Sequence, residues 1–168
     1  ATDMWETMAP MSTARVALAA VVVDGQLYAI AGYDEGGTDL KSVERYTPST
    51  DTWEPVPDLP GVPRFGLRAA VTADGKLGVV GGFNADDDDL KTVEVYNRAT
   101  DTWTAKADMI TARYTLGLAV INDVLHALGG DDDGHTVERY DAAADSWSIV
   151  PEMELPAGVL GDFFTAAV

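Results

Sequence analysis

Cysteine is absent from this 168-residue chain. Its absence excludes disulfides, thiolate metal sites and a cysteine nucleophile, and leaves the redox compartment unspecified. Histidine is nearly absent, with only His126 and His135. No HExxH, G-x-S-x-G or GxxxxGK[ST] pattern occurs, so the usual zinc-protease, serine-hydrolase and phosphate-loop signatures are missing. Lysine is scarce, at Lys41, Lys76, Lys91 and Lys106. No apolar run approaches the ~20 residues of a helical membrane span. The chain opens ATDMW, without an initiator Met or a basic-then-apolar signal segment. A processed protein or a piece of a longer one is expected, and the localisation is left unassigned.

Acid is abundant. The chain has 28 Asp and Glu against 11 Lys and Arg, for a net charge of −17. Apolar residues make up 46%, so the acidity belongs to a globular chain with a core and does not signal disorder. Such a field repels nucleic acid and anionic membrane and attracts cations or a basic partner. An abundance of Asp, Ala, Val and Thr with little Lys also resembles proteins of salt-accumulating organisms. In that reading the acids only hold a hydrated surface.

One module recurs three times: SVERYTPSTDTW (Ser42–Trp53), TVEVYNRATDTW (Thr92–Trp103) and TVERYDAAADSW (Thr136–Trp147). Each copy has Glu, then Tyr two residues later, then Trp seven after that. A glycine-ended apolar run precedes each: YAIAG, GVVGG and HALGG. Arg15, Arg64 and Arg113 open the copies. Asp24-Gly25, Asp74-Gly75 and Asn122-Asp123 split apolar runs as hairpin turns do. Four short strands per unit, at a period near ~50 residues, are what a propeller blade needs.

The terminal glycines at Gly32, Gly81, Gly82, Gly129 and Gly130, with the V-E-x-Y-x6-W module, resemble the kelch repeat. The resemblance implies an all-β, kelch-type β-propeller of about three four-stranded blades plus a partial fourth. The expected limits are 1–8 for the end strand of a preceding blade, then blades at 9–56, 57–106 and 107–150. Residues 151–168 are expected to start a further blade. Such a ring is incomplete, or is closed by assembly or by the rest of a longer chain. Two departures stand out: Ala31-Gly32 replaces Gly-Gly in the first copy, and Gly78 stands where the others have Tyr28 and His126.

The repeated residues have structural readings first. Tyr46, Tyr96 and Tyr140, with Trp53, Trp103 and Trp147, bury large rings and still need partners for their polar tips. Glu44, Glu94 and Glu138 lie inside apolar strands and are expected to pair with the repeated arginines. In kelch domains that recruit acidic peptides, arginines near the first strand bind the ligand. That makes Arg15, Arg64, Arg68 and Arg113 candidate ligand contacts, with Arg68 off the repeat pattern.

The acids concentrate in the loop between the second and third strands. Asp34, Glu35, Asp39, Asp86, Asp87, Asp88, Asp89, Asp131, Asp132 and Asp133 are expected to form one acidic face. A solvated surface and a basic protein partner are both open readings. Calcium at Asp86, Asp88, Asp131 and Asp133 is the weaker one, because consecutive carboxylates do not all converge. No cofactor or catalytic residue is assigned. The functional expectation is a protein-interaction scaffold using the acidic loop face and the propeller channel. A carbohydrate-active enzyme of the sugar-mutarotase or oxidase kelch type is one alternative. A structural or cell-surface repeat protein stabilised by salt or cations is the other.

Overall fold

The computed structural model describes residues 4–86, 88–130 and 136–151. Twelve strands follow the repeat. Blade 1 comprises β1 (Ala19–Val23), β2 (Gln26–Ile30), β3 (Val43–Thr47) and β4 (Thr52–Val56). Blade 2 comprises β5 (Arg68–Val71), β6 (Leu77–Val80), β7 (Val93–Asn97) and β8 (Thr102–Ala105). Blade 3 comprises β9 (Gly117–Ile121), β10 (Val124–Leu128), β11 (Val137–Asp141) and β12 (Ser146–Ile149). Each blade is an antiparallel four-stranded sheet in chain order. The described residues contain no α-helix.

Local chemistry explains the turns. Asp24 and Gly25 both take positive φ, 48° and 74°, as a two-residue hairpin requires. Asn122 and Asp123 do the same without glycine, at 49° and 65°. Both residue types tolerate this region. Blade 2 departs from the expected two-residue turn. Ala73 is an extra residue there, and the loop closes instead through Thr72 N–H to the Lys76 carbonyl at 2.8 Å.

The blades stack side by side, with β1 against β5 and β5 against β9. The core lies between them. One buried cluster joins Val23, Tyr28, Ile30 and Val43 of blade 1 to Leu67, Leu77, Val79 and Tyr96 of blade 2. A second joins Val80 and Val93 of blade 2 to Leu118, Leu125, Tyr140 and Trp147 of blade 3. Alternation makes this possible, since successive side chains of a strand serve opposite seams. Residues 4–8 lie outside every strand, and the Trp5 side chain is fully exposed. The start of a further blade expected at 151–168 falls almost wholly outside the described residues.

Backbone bonds lace the blades near the axis. Gly32 N–H donates to the Arg64 carbonyl at 3.0 Å, and Gly82 N–H to the Arg113 carbonyl at 2.9 Å. Gly66 N–H reaches the Ala17 carbonyl at 3.0 Å, and Thr115 N–H the Gly66 carbonyl at 2.7 Å. A side chain on Gly82 would stand 3.0 Å from the Phe65 carbonyl, and its φ is +117°. The glycine is therefore needed for close approach as well as for conformation.

Candidate functional site

The loop after β2 and the segment leading into β1 share one rim. Val16 and Tyr33 exchange two backbone hydrogen bonds, at 2.9 and 3.0 Å. Phe65 and Phe83 do the same in blade 2, at 3.0 and 2.8 Å, and Tyr114 N–H bonds the Gly130 carbonyl at 3.0 Å in blade 3. Each of these residues follows either a repeated arginine or a terminal glycine.

Their side chains form a continuous aromatic row across three blades. Tyr33 meets Phe65 edge-on, with ring centroids 5.3 Å apart. Phe65 meets Phe83 at 5.5 Å, and Phe83 meets Tyr114 at 5.4 Å. The first three rings are half-buried and Tyr114 is exposed. Reading the sequence for repeated identities missed this row. The signal was positional, because the residue after each arginine or glycine pair varies in identity but is aromatic at four of these places.

The acidic loops flank the row. Asp39 bridges back to Tyr33, and Asp89 to Phe83. Burial raises the Asp39 carboxyl above its ordinary value. Asp34 organises its own loop, with one carboxylate oxygen accepting the Gly36 and Thr38 amides at 2.9 Å each. Asn84 does the same in blade 2, accepting from Asp86 N–H at 3.1 Å and Asp88 N–H at 3.0 Å. Glu35, Asp86 and Asp88 are exposed. Asp87, Asp131, Asp132 and Asp133 lie outside the described residues, so the calcium pairing with Asp131 and Asp133 does too. Among the described residues, no three His, Cys, Asp or Glu side chains are grouped to hold a metal ion.

The repeated arginines are inside the blades. Arg15 pairs with Glu44 at 2.7 Å, Arg64 pairs with Glu94, and Arg113 pairs with Glu138 at 2.9 Å. Both Arg113 and Glu138 side chains are completely buried. Glu138 also accepts the Ile110 amide at 2.7 Å and the Thr111 amide at 3.0 Å. Glu44 accepts the amide and hydroxyl of Ser12, at 2.8 and 2.7 Å. Burial acts to raise the Glu44 carboxyl, but the Ser12 and Arg15 hydrogen bonds outweigh it and hold it below the ordinary value. These glutamates therefore tie the incoming linker to the blade, a role the linkers' sequences did not announce.

Arg68 sits on the innermost strand of blade 2, opposite Val80. Its guanidinium is half-buried and donates to the Leu67 carbonyl at 3.2 Å. Burial lowers it from the ordinary arginine value. His126 is buried, with Nδ1 2.9 Å from the Val124 carbonyl. His135 lies outside the described residues.

Comparison with known proteins agrees with the repeat geometry. The Kelch motif matches three times, at residues 14–60, 64–110 and 112–154. Human Kelch-like protein 33 is 46% identical over 56 residues, which are 33% of this chain and 10% of that protein. Human Kelch-like protein 23 is 39% identical over 61 residues, 36% of this chain and 11% of that protein. The solved structure of YjhT superposes with a TM-score of 0.73 at 17% identity, covering 89% of this chain and 56% of YjhT. The chain thus spans about a tenth of the length of the curated relatives it matches. With three motifs covering most of its length, on three blades of propeller geometry, the chain belongs to the kelch-repeat family.

Proposed function

We propose that this chain is a protein-interaction module that binds a basic segment of a partner on its loop-bearing rim. The observation that carries the reading is the aromatic row Tyr33–Phe65–Phe83–Tyr114, partly open and bordered by Asp39, Asp89 and the exposed loop acids. Rings supply contact area with little entropy to lose, and a guanidinium or ammonium is attracted to a ring face. The acids steer and hold a basic partner. The test is fluorescence anisotropy with labelled Arg/Lys-rich peptides that carry aromatic residues, against acidic peptides of equal length. Binding should weaken as salt rises, and Phe83→Ala should reduce affinity about tenfold. Equal binding of the acidic peptides, or an unaffected Phe83→Ala variant, would sink the reading.

Among the described residues, nothing covers the outer flank of blade 1 as blade 1 covers blade 2, which supports a second element, completion of the ring by further blades. Leu18, Ala20, Val22 and Leu27 stand where Leu67, Ala69, Val71 and Leu77 stand in blade 2. The blade 2 set packs against blade 1, whereas Val22 is 58% exposed. Either the rest of a longer chain or a second copy covers that flank. Light scattering on the 168-residue chain separates the two, since a concentration-independent monomer excludes the second copy.

A further inference from the structure

The seam between blades 2 and 3 is built differently from the seam between blades 1 and 2. In the first seam the Tyr28 ring is wholly buried and meets Tyr96 edge-on, with centroids 6.2 Å apart. Arg98 of blade 2 closes the outer end by pairing with Asp24 and donating to Gln26 Oε1 at 3.2 Å. One repeat later both groups are gone: Gly78 stands in the place of Tyr28, and Ala142 in the place of Arg98. One truncation falls on each side of the same seam.

At this seam lies a partly open cavity of about 700 Å³ bordered by Val95, Val120, Leu125 and Tyr140, with Ala142 also on its wall. Gly78 pairs with Val95 in the sheet. A side chain at 78 would therefore project from the same face as Val95, into this space. The repeated tyrosine registers the change. Tyr96, against Tyr28, is 1% exposed, whereas its counterpart Tyr140 is 9% exposed, like Tyr46 at 8%, which has no described blade on that side.

The cavity also gathers cations, three of them against three aspartates. Lys76 and Lys106, two of its four lysines, border it together with Arg139, whose Nε donates to Ser148 Oγ at 3.3 Å. Lys76 is already paired with Asp74 at 2.5 Å. Lys106 replaces Val56, a member of the first seam's apolar cluster. Its ammonium has no hydrogen bond or ion pair among the described residues. Asp145 feels that charge, but the Asp145 carboxylate already accepts from Tyr140 and Ala107.

We infer that this seam binds a small aromatic carboxylate. The ring takes the volume vacated at Gly78, against the edge of Tyr140 and the apolar walls, as Tyr28 does against Tyr96. The carboxylate meets the Lys106 ammonium. Asp74, Asp123 and Asp141 also border the space, so a monoanion is accepted over a dianion.

The test is titration of the full chain with 4-hydroxyphenylacetate, followed by calorimetry and amide NMR. Saturable binding in the about millimolar range is expected, with shifts at Gly78, Val95, Leu125 and Ala142. p-Cresol, the same ring without the carboxylate, should bind about tenfold more weakly. Lys106→Met should weaken the carboxylate by about tenfold and leave p-cresol unchanged. Gly78→Tyr should abolish both, since its Cβ asks only the Thr72 methyl, at 3.2 Å, to give way. Ala142→Arg should weaken both, and it carries the test if the tyrosine variant does not fold. Absence of saturable binding overturns the proposal. So does binding that survives Gly78→Tyr or Ala142→Arg, or equal affinity for p-cresol and the acid.

Discussion

Ala107 gives its amide hydrogen to the Asp145 carboxylate at 3.0 Å, across the step from blade 2 to blade 3. The same carboxylate accepts the Tyr140 hydroxyl at 2.5 Å, and Trp147 Nε1 returns a bond to the Ala107 carbonyl at 3.0 Å. Ala9, Asp51, Tyr46 and Trp53 repeat the arrangement at blade 1. At the middle blade Pro57 stands in the alanine's place. Proline has no N–H, so the amide bond to the Asp101 carboxylate is missing; Tyr96 still donates to Asp101, and the Trp103 indole to the Pro57 carbonyl at 2.8 Å.

This difference predicts unequal costs for one substitution. Asp51, Asp101 and Asp145 all have positive φ, between 49° and 56°. Replacement by glycine removes the carboxylate without adding backbone strain. Asp51→Gly and Asp145→Gly should each lower the urea midpoint more than Asp101→Gly. Equal midpoints for the three would show that the linker amide contributes nothing.

Glu138 should be the most sensitive of the paired carboxylates. Its side chain and that of Arg113 are both fully buried, so Glu138→Gln leaves a buried guanidinium without its counter-charge. A loss of about 3–5 kcal/mol is expected by denaturant unfolding. An isolated buried pair can often be replaced by apolar residues at little cost. Here Arg113→Met with Glu138→Leu should not recover stability, because the Ile110 and Thr111 amides lose their acceptor. Each orphaned amide costs about 1–3 kcal/mol. Recovery in the double variant would assign the whole effect to the charge pair.

Stability should form a plateau with two edges. The Glu44, Asp51 and Asp145 carboxyls lie below their ordinary values in the folded chain. Their contribution is therefore full above the unfolded value, about 4, and is lost as pH falls through the folded one. Tyr96 and Tyr140 move the other way: burial first, then the hydrogen bonds to Asp101 and Asp145, raise both phenols. Their contribution is full below about pH 10 and is lost as pH rises beyond it. Melting temperature against pH should be flat between these edges. Phenolate absorbance from Tyr96 and Tyr140 should grow in only with unfolding at the alkaline edge.

Much of this architecture was legible because it depends on identity at fixed spacing. A Trp seven residues after a Tyr has one geometric job, and it recurs. A glutamate in an apolar strand needs a cation, and an arginine recurs in step with it. The aromatic rim was not legible in that way, because Val16, Phe65 and Tyr114 share a position and not a residue type. The linkers were opaque for a related reason. Ser12, Ile110 and Thr111 contribute backbone amides, which any residue but proline can supply. Gly78 was conspicuous as a missing ring. The size of the gap depended on Ala142 across the seam, and no local pattern links those two positions.

Gly32 and Gly25 separate conformational strain from close approach. Both have positive φ, +89° and +74°. A Cβ on Gly25 meets nothing within 4 Å, so Gly25→Ala should cost only the left-handed penalty, about 1–2 kcal/mol. A Cβ on Gly32 would stand 2.5 Å from the Val16 carbonyl oxygen. That oxygen is held by Tyr33 N–H at 3.0 Å, and the Gly32 amide is itself bonded to the Arg64 carbonyl of the next blade. Neither backbone can yield without loosening the seam, so Gly32→Ala should cost about 3 kcal/mol or more. Hydrogen exchange reads where the damage goes. In Gly32→Ala the Gly66 amide, which bonds Ala17 across the same seam, should exchange faster, and in Gly25→Ala it should not. Similar stability losses in the two variants would show that the axial contacts between blades are slack enough to admit a methyl group.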